Sequence, residues 1–197
     1  WGMTETSPMG SQTWIKSCLE PKIDEAQRLA LRTSNGIALP FVEMRHVDDD
    51  GRVQPWDGKA LGELQVRGPW VTQSYIGHPE PLSATTDDGW LKTGDIVQFQ
   101  PTGYMRLVDR KKDLVKSGGE WISSTDIENA LHDHPSVAEA AVIAVPDERW
   151  GERPLAVVVL KSGHQASDED IRSHLLARFP KWMVPEQITF LDSLPKT

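Results

Sequence analysis

The chain is poor in cysteine, in basic surplus and in long apolar runs, and each shortage removes a class of protein. Its 197 residues hold one cysteine, Cys18, so no disulfide forms within the chain and the reducing cytoplasm is the expected compartment. Cys18 itself reads as a small buried or half-buried side chain. No stretch approaches the roughly 18 consecutive apolar residues of a membrane-spanning helix, so no transmembrane segment is expected. The net charge of −8 and pI near 5.2 leave no basic face for nucleic acid or an anionic membrane. Internal repeats and low-complexity tracts are lacking too. The six histidines are scattered, with His132 and His134 two apart at a helix end, so no tetrahedral metal set emerges. Asp48 to Asp50 read as a solvated hairpin turn rather than a calcium loop.

The chain is nonetheless long enough to build a core without staples. It opens on Trp1 rather than Met and reads as a soluble fragment of something larger. Its first 31 residues begin as a polar loop and carry helical character only over Glu25 to Leu31. From Gly36 to Val108 short strands alternate with turns: Phe41 to Val47, Gly62 to Arg67, Ile96 to Phe99 and Tyr104 to Leu107. Asp49-Asp50-Gly51 and Pro101-Thr102-Gly103 supply the corners between them. From Asp109 strands alternate with helices. Ser123 to Glu128 offers overlapping capping boxes before a face of Ile127, Ala130 and Leu131. Ser167 to Asp170 caps a second helix with Ile171, Leu175 and Phe179 on one face. Val137 to Val145 and Leu155 to Leu160 are apolar enough to be buried strands, and Gln187 to Leu191 is the last. The expected fold class is α+β, a small antiparallel β-unit followed by a compact α+β domain.

Four segments break the periodicity around them. Trp1-Gly2-Met3-Thr4-Glu5-Thr6 joins an aromatic plate, an uncrowded backbone, a hydroxyl and a carboxylate, parts that suit a nucleotide with Mg2+ and equally an ordinary capped turn. Gly62 to Gly68 is the second. Trp90-Leu91-Lys92-Thr93-Gly94-Asp95 reads as a polar loop that delivers Asp95 to a strand edge, as a ribose acceptor or a plain turn residue. Asp109 to Ser124, DRKKDLVKSGGEWISS, sets Arg110, Lys111, Lys112 and Lys116 beside Gly118-Gly119, either an anion site or a solvated basic loop. The eight tryptophans are dispersed among turns and strand ends, which favours packing.

These segments, in this order, resemble the adenylate-forming superfamily of acyl-CoA synthetases, luciferases and peptide-synthetase adenylation domains. SGGEWISS and the ENAL helix behind it are most similar to medium- and long-chain fatty-acyl-CoA ligases, and the likeness runs along the whole chain. It implies residues 1–109 as the end of the large AMP-binding domain, with a β-barrel-like subdomain, and 110–197 as the mobile C-terminal domain. It implies an ATP-dependent fatty-acid ligase that makes an acyl-adenylate and pyrophosphate, then acyl-CoA and AMP. Trp1 and Gly2 would meet adenine, Thr4 the phosphate and Glu5 the Mg2+. Asp95 would take the ribose hydroxyls with Arg110 assisting. Lys112 and Lys116 would offset phosphate charge, with Lys112 also the hinge, and Gly118, Gly119 and Trp121 would face CoA and nucleotide. Trp121 reads equally as a core aromatic. The implied partners are a carboxylic (fatty) acid, ATP and CoA, and a homodimer stays open. The phosphate loop and acyl tunnel would lie upstream. Lys196 would lead into a Gly-Lys pair beyond Thr197 without being its lysine, so the chain alone is expected to be inactive. A ligase for another small acid and a non-catalytic relative are the alternatives.

Overall fold

The structure, a computed structural model, describes residues 1–77 and 84–195. Lys196 and Thr197, read above as the lead-in to a Gly-Lys pair, lie outside the described residues. The chain is α+β and divides into two compact units, Trp1–Lys111 and Lys112–Thr197.

In the first unit, β1 (Ser11–Gln12) pairs antiparallel with β2 (Ile37–Ala38), and α1 (Glu25–Thr33) lies between them in sequence. Asp24 caps α1 by accepting from the Gln27 N–H at 2.7 Å, and Gln27 answers by accepting from the Asp24 N–H. That reciprocal cap holds a helix none of whose residues is buried. Strands β3 (Glu43–Val47), β4 (Leu61–Arg67), β5 (Leu91–Phe99) and β6 (Met105–Arg110) form an antiparallel sheet in that order. One face of it buries Met44, Leu64, Val66, Val97, Phe99 and Met105, and Trp1 packs against this cluster. Burial of each such side chain contributes about 1.5–3 kcal/mol.

Strand β5 is longer than the sequence indicates, because Thr93-Gly94-Asp95 is not a loop but a bulge inside it. Gly94 takes φ +74°, and the pairing with β4 shifts register between Glu63 and Gln65. The Thr93 hydroxyl stitches the bulge, donating to the Leu64 carbonyl at 3.0 Å and accepting from the Asp95 N–H at 3.1 Å. Strand β6 likewise runs on through Asp109 and Arg110, pairing Arg110 with Asp95. Cys18 also departs from expectation: it is exposed, in a turn closed by the Leu19 N–H on the Lys16 carbonyl.

His46 on β3 is fully buried, its ring 5.2 Å from that of Phe99. Its Nε2 donates to the Ala60 carbonyl at 3.1 Å, while Nδ1 has no partner. Burial therefore holds its pKa below the ordinary 6.5, against the weaker upward pull of the Ala60 bond. The unfolded chain takes up this proton first, so the stability that neutral His46 contributes is intact above pH 6.5 and falls as the pH drops below it. Urea midpoints of the full-length parent should decline between pH 7 and 5.5, and more shallowly in His46→Gln. Equal slopes in the two would contradict this reading.

In the second unit, β7 (Val115–Ser117) and β8 (Glu120–Ile122) form a hairpin. It is followed by α2 (Ser124–His132), β9 (Val137–Asp147), β10 (Gly151–Leu160), α3 (Asp168–Leu176) and β11 (Gln187–Phe190). Strand β10 is central, antiparallel to β9, parallel to β11 and joined to β7 at Gly151. Ser123 caps α2 by accepting from the Asp126 N–H, and Ser167 caps α3 by accepting from that of Asp170. Ile127, Leu131, Ile171 and Leu175 enter one core with Val115, Val137 and Val158. Strand β9 is not buried on both faces as its apolar run implied. Among the described residues it pairs with β10 alone, and it leaves Ile143 49% exposed. Among the described residues no helix is long and apolar enough to cross a membrane.

Candidate functional site

The chemistry-bearing residues of the first unit meet at the β5 bulge. Asp95 is 3% exposed, and its Oδ2 accepts from the Trp1 indole Nε1–H at 2.7 Å. Its Oδ1 lies 2.8 Å from Arg110 Nε as an ion pair, yet no donor is aligned on that oxygen for a hydrogen bond. An unfilled buried acceptor costs about 1–3 kcal/mol, which a ligand hydroxyl would recover. Trp1 is half-buried, and its ring occupies the space that a side chain on Gly10 would need, since a Cβ there would sit 2.3 Å from it. Thus Trp1, Asp95 and Arg110, far apart in sequence, form one constellation with a buried carboxylate at its centre.

Gly2 has a different reason from the one its sequence offers. A Cβ there would come within 1.9 Å of the Pro8 carbonyl oxygen, so the missing side chain makes room for the chain's own backbone. Thr4 and Glu5 lie in a single 3-10 turn, Thr4 exposed and Glu5 partly so. Glu5 accepts from the Tyr75 hydroxyl, and that bond raises the Tyr75 pKa above its ordinary value. The buried hydroxyl of the motif is Thr6, which donates to the Met3 and Pro8 carbonyls and closes the turn.

Carboxylates of the first unit engage the start of the basic run. Arg110 pairs with Asp95, and Lys111 Nζ lies 2.8 Å from Glu63 and 3.5 Å from Asp49. Burial opposes the Lys111 charge, but the two carboxylates outweigh it and hold its pKa above the lysine range. Lys112 and Lys116 belong to the second unit, both exposed. Lys116 Nζ stands 5.8 Å from the ring centre of Trp121, its partner across the β7–β8 hairpin. Trp121 is half-exposed and outside the core cluster, so it is not a core aromatic.

Gly118 and Gly119 make the hairpin turn with φ +61° and +88°. Gly118 also lets the Trp150 ring lie against it, for a Cβ would fall 2.8 Å from that ring. Beside this turn is a cleft of about 450 Å³, lined among others by Gly118, Glu120, Trp150, Arg153, Lys181 and Trp182. Trp150 and Trp182 are 42% and 44% exposed, unlike packing tryptophans. The Arg149 guanidinium stacks 4.6 Å from the Trp150 ring. Two aromatic faces with cations beside them suit a nucleobase carrying phosphates. Sequence reasoning missed this pair because the two tryptophans are 32 positions apart and each looked like a packing residue.

The family described as AMP-binding enzyme matches residues 1–76, and the AMP-binding enzyme C-terminal domain matches residues 126–197. The long-chain-fatty-acid–CoA ligase of Thermus thermophilus is 49% identical over 100% of this chain and 36% of that protein. The 3-methylmercaptopropionyl-CoA ligase of Ruegeria lacuscaerulensis is 42% identical over 99% of this chain and 36% of that protein. Among solved structures, the o-succinylbenzoate CoA synthetase of Bacillus subtilis with its acyl-adenylate intermediate superposes with a TM-score of 0.78. It is 33% identical, covering 99% of this chain and 37% of that one. The chain thus spans about 36% of the length of the curated relatives it matches.

Proposed function

The chain belongs to the AMP-binding enzymes, and from that premise we propose that it works as part of an AMP-forming fatty-acid–CoA ligase. The carrying observation is buried Asp95, with one oxygen on the Trp1 indole and the other lacking an aligned donor. That open acceptor suits a ribose hydroxyl, and Arg110 lies beside it at 2.8 Å. Adenine would then lie near Trp1, and the triphosphate would run toward Thr4 and Glu5.

Glu5 fits a magnesium ion: it is a partly exposed carboxylate next to an exposed hydroxyl, and Mg2+ takes only one or two protein carboxylates when phosphates complete its shell. Among the described residues no group of three or more His, Cys, Asp or Glu could hold a metal by itself. Bound with the nucleotide, the ion would neutralise charge on the phosphate oxygens. In the first step a carboxylate oxygen of the acid attacks the α-phosphorus and pyrophosphate leaves. In the second the CoA sulfur attacks the acyl carbonyl carbon and AMP leaves with the bonding pair. Lys112 and Lys116 are proposed to offset charge on the reacting oxygens. The Trp150–Trp182 cleft, with Gly118, Gly119 and Trp121 on the adjoining hairpin, is proposed for the CoA nucleotide.

The fatty acid as substrate rests on the 49% identical relative and the SGGEWISS segment. The relative that is named for a methylmercapto acid favours a second reading, a short sulfur-containing acid. Full-length parent given ATP, CoA and a panel of acids should release most AMP with octanoate or palmitate. A preference for 3-methylmercaptopropionate would replace the fatty acid, while residues 1–197 alone should turn over none of them.

A further inference from the structure

Arg153 lies on β10 beneath the Trp150–Trp182 cleft and is only 8% exposed. Keeping a guanidinium out of water is costly unless its donors are used. Its Nη1 donates to the Ser117 hydroxyl at 3.1 Å and to the Trp182 carbonyl at 2.7 Å, and its Nη2 to Glu186 at 3.2 Å. Only Nε is left without a partner. These acceptors belong to two separate pieces of chain: the end of β7, and the connection from α3 to β11 that holds both Trp182 and Glu186.

Each piece carries part of the cleft. Ser117 precedes Gly118, whose N–H donates to the Trp150 carbonyl at 2.8 Å and whose bare Cα seats the Trp150 ring. Trp182 also lines the cleft, and its exposed ring leaves its backbone to locate it. One guanidinium therefore holds the backbone of Trp182 and the strand end that leads into the turn supporting Trp150. Nothing in its local sequence, Glu152-Arg153-Pro154, marks it for this.

We infer that Arg153 is a positioning residue for the CoA step: through Ser117 and the Trp182 carbonyl it sets how the two tryptophans are held at the cleft. This rests on the assignment of that cleft to the CoA nucleotide. Lysine cannot replace it fully, because a point charge does not reach three acceptors in a plane as the guanidinium fork does. A ring displaced by even an ångström loses its stacking, worth roughly 1–3 kcal/mol per base or about 5- to 150-fold in affinity.

The test uses the full-length parent and separates the half-reactions. Acid-dependent ATP–pyrophosphate exchange reports adenylation, and the KM for CoA reports the cleft. In Arg153→Met exchange should stay within about twofold of wild type while the KM for CoA rises tenfold or more. Arg153→Lys should recover part of that rise, and Ser117→Ala should show a smaller rise of the same kind. An unchanged KM for CoA in Arg153→Met, or an equal fall of both half-reactions in a folded variant, would overturn the proposal. Should Arg153→Met not fold, an unchanged KM in Ser117→Ala would do so. Wild-type parent that forms acyl-adenylate but makes no use of CoA would instead remove the cleft assignment itself.

Discussion

Asp95→Ala in the full-length parent should weaken AMP and ATP binding by more than tenfold. The carboxylate is buried, so whatever hydroxyls it accepts are bonded away from water, and a hydrogen bond to a charged group is worth about 1.5–3 kcal/mol, or 10- to 150-fold. Alanine also strands the Trp1 indole N–H, which now donates to Asp95, and removes the ion pair of the exposed Arg110. Asp95→Asn separates these effects. Its amide oxygen can still accept from Trp1, while the charge that favours ribose and Arg110 is gone. Titration calorimetry with AMP should find asparagine weakened about tenfold and alanine more. Nucleotide affinity equal to wild type in both would remove Asp95 from the site.

Lys112→Pro should slow thioester formation tenfold or more and adenylation, which loses only the Lys112 charge, much less. Lys111 is fixed to the first unit by Glu63 and Asp49, whereas Lys112 is the first residue of the second unit, exposed and in a turn. The proposed hinge is the backbone between them. Proline fixes φ near −65° and restricts the residue before it, which confines that backbone to one state. Single-turnover measurements of acyl-adenylate formation and of its transfer to CoA give the two rates. Equal losses in both, with a collapsed melting temperature, would mark Lys112 as merely structural.

What the sequence made legible was what is encoded locally. The starts of α2 and α3 follow from Ser123 and Ser167, because a cap is written within three residues of its partner. The turns at Gly51 and Gly103 follow in the same way, from residues that accept positive φ. The bulge at Gly94 was read as loop because Thr93-Gly94-Asp95 has loop composition. What makes it strand is pairing on both sides, with β4 and with β6, and that information sits some 15 to 30 positions away. Trp1, Asp95 and Arg110 were singled out as chemistry-bearing by motif, but their meeting is a property of the sheet. The basic run shows the reverse: four neighbouring cations looked like one site, and the fold assigned Arg110 and Lys111 to carboxylates of the first unit. Arg153, Trp150 and Trp182 left no local trace, since each becomes functional only through the others.

The central claim is that a nucleotide-binding constellation at the β5 bulge and an aromatic cleft in the second unit serve two successive steps of one ligase. Its most direct test is a product balance: full-length parent with ATP, Mg2+, CoA and a fatty acid, with AMP, pyrophosphate and acyl-CoA quantified together. Equal amounts of all three are expected, with no AMP when the acid is omitted. ADP and phosphate in their place, or AMP release indifferent to acid and CoA, would contradict it.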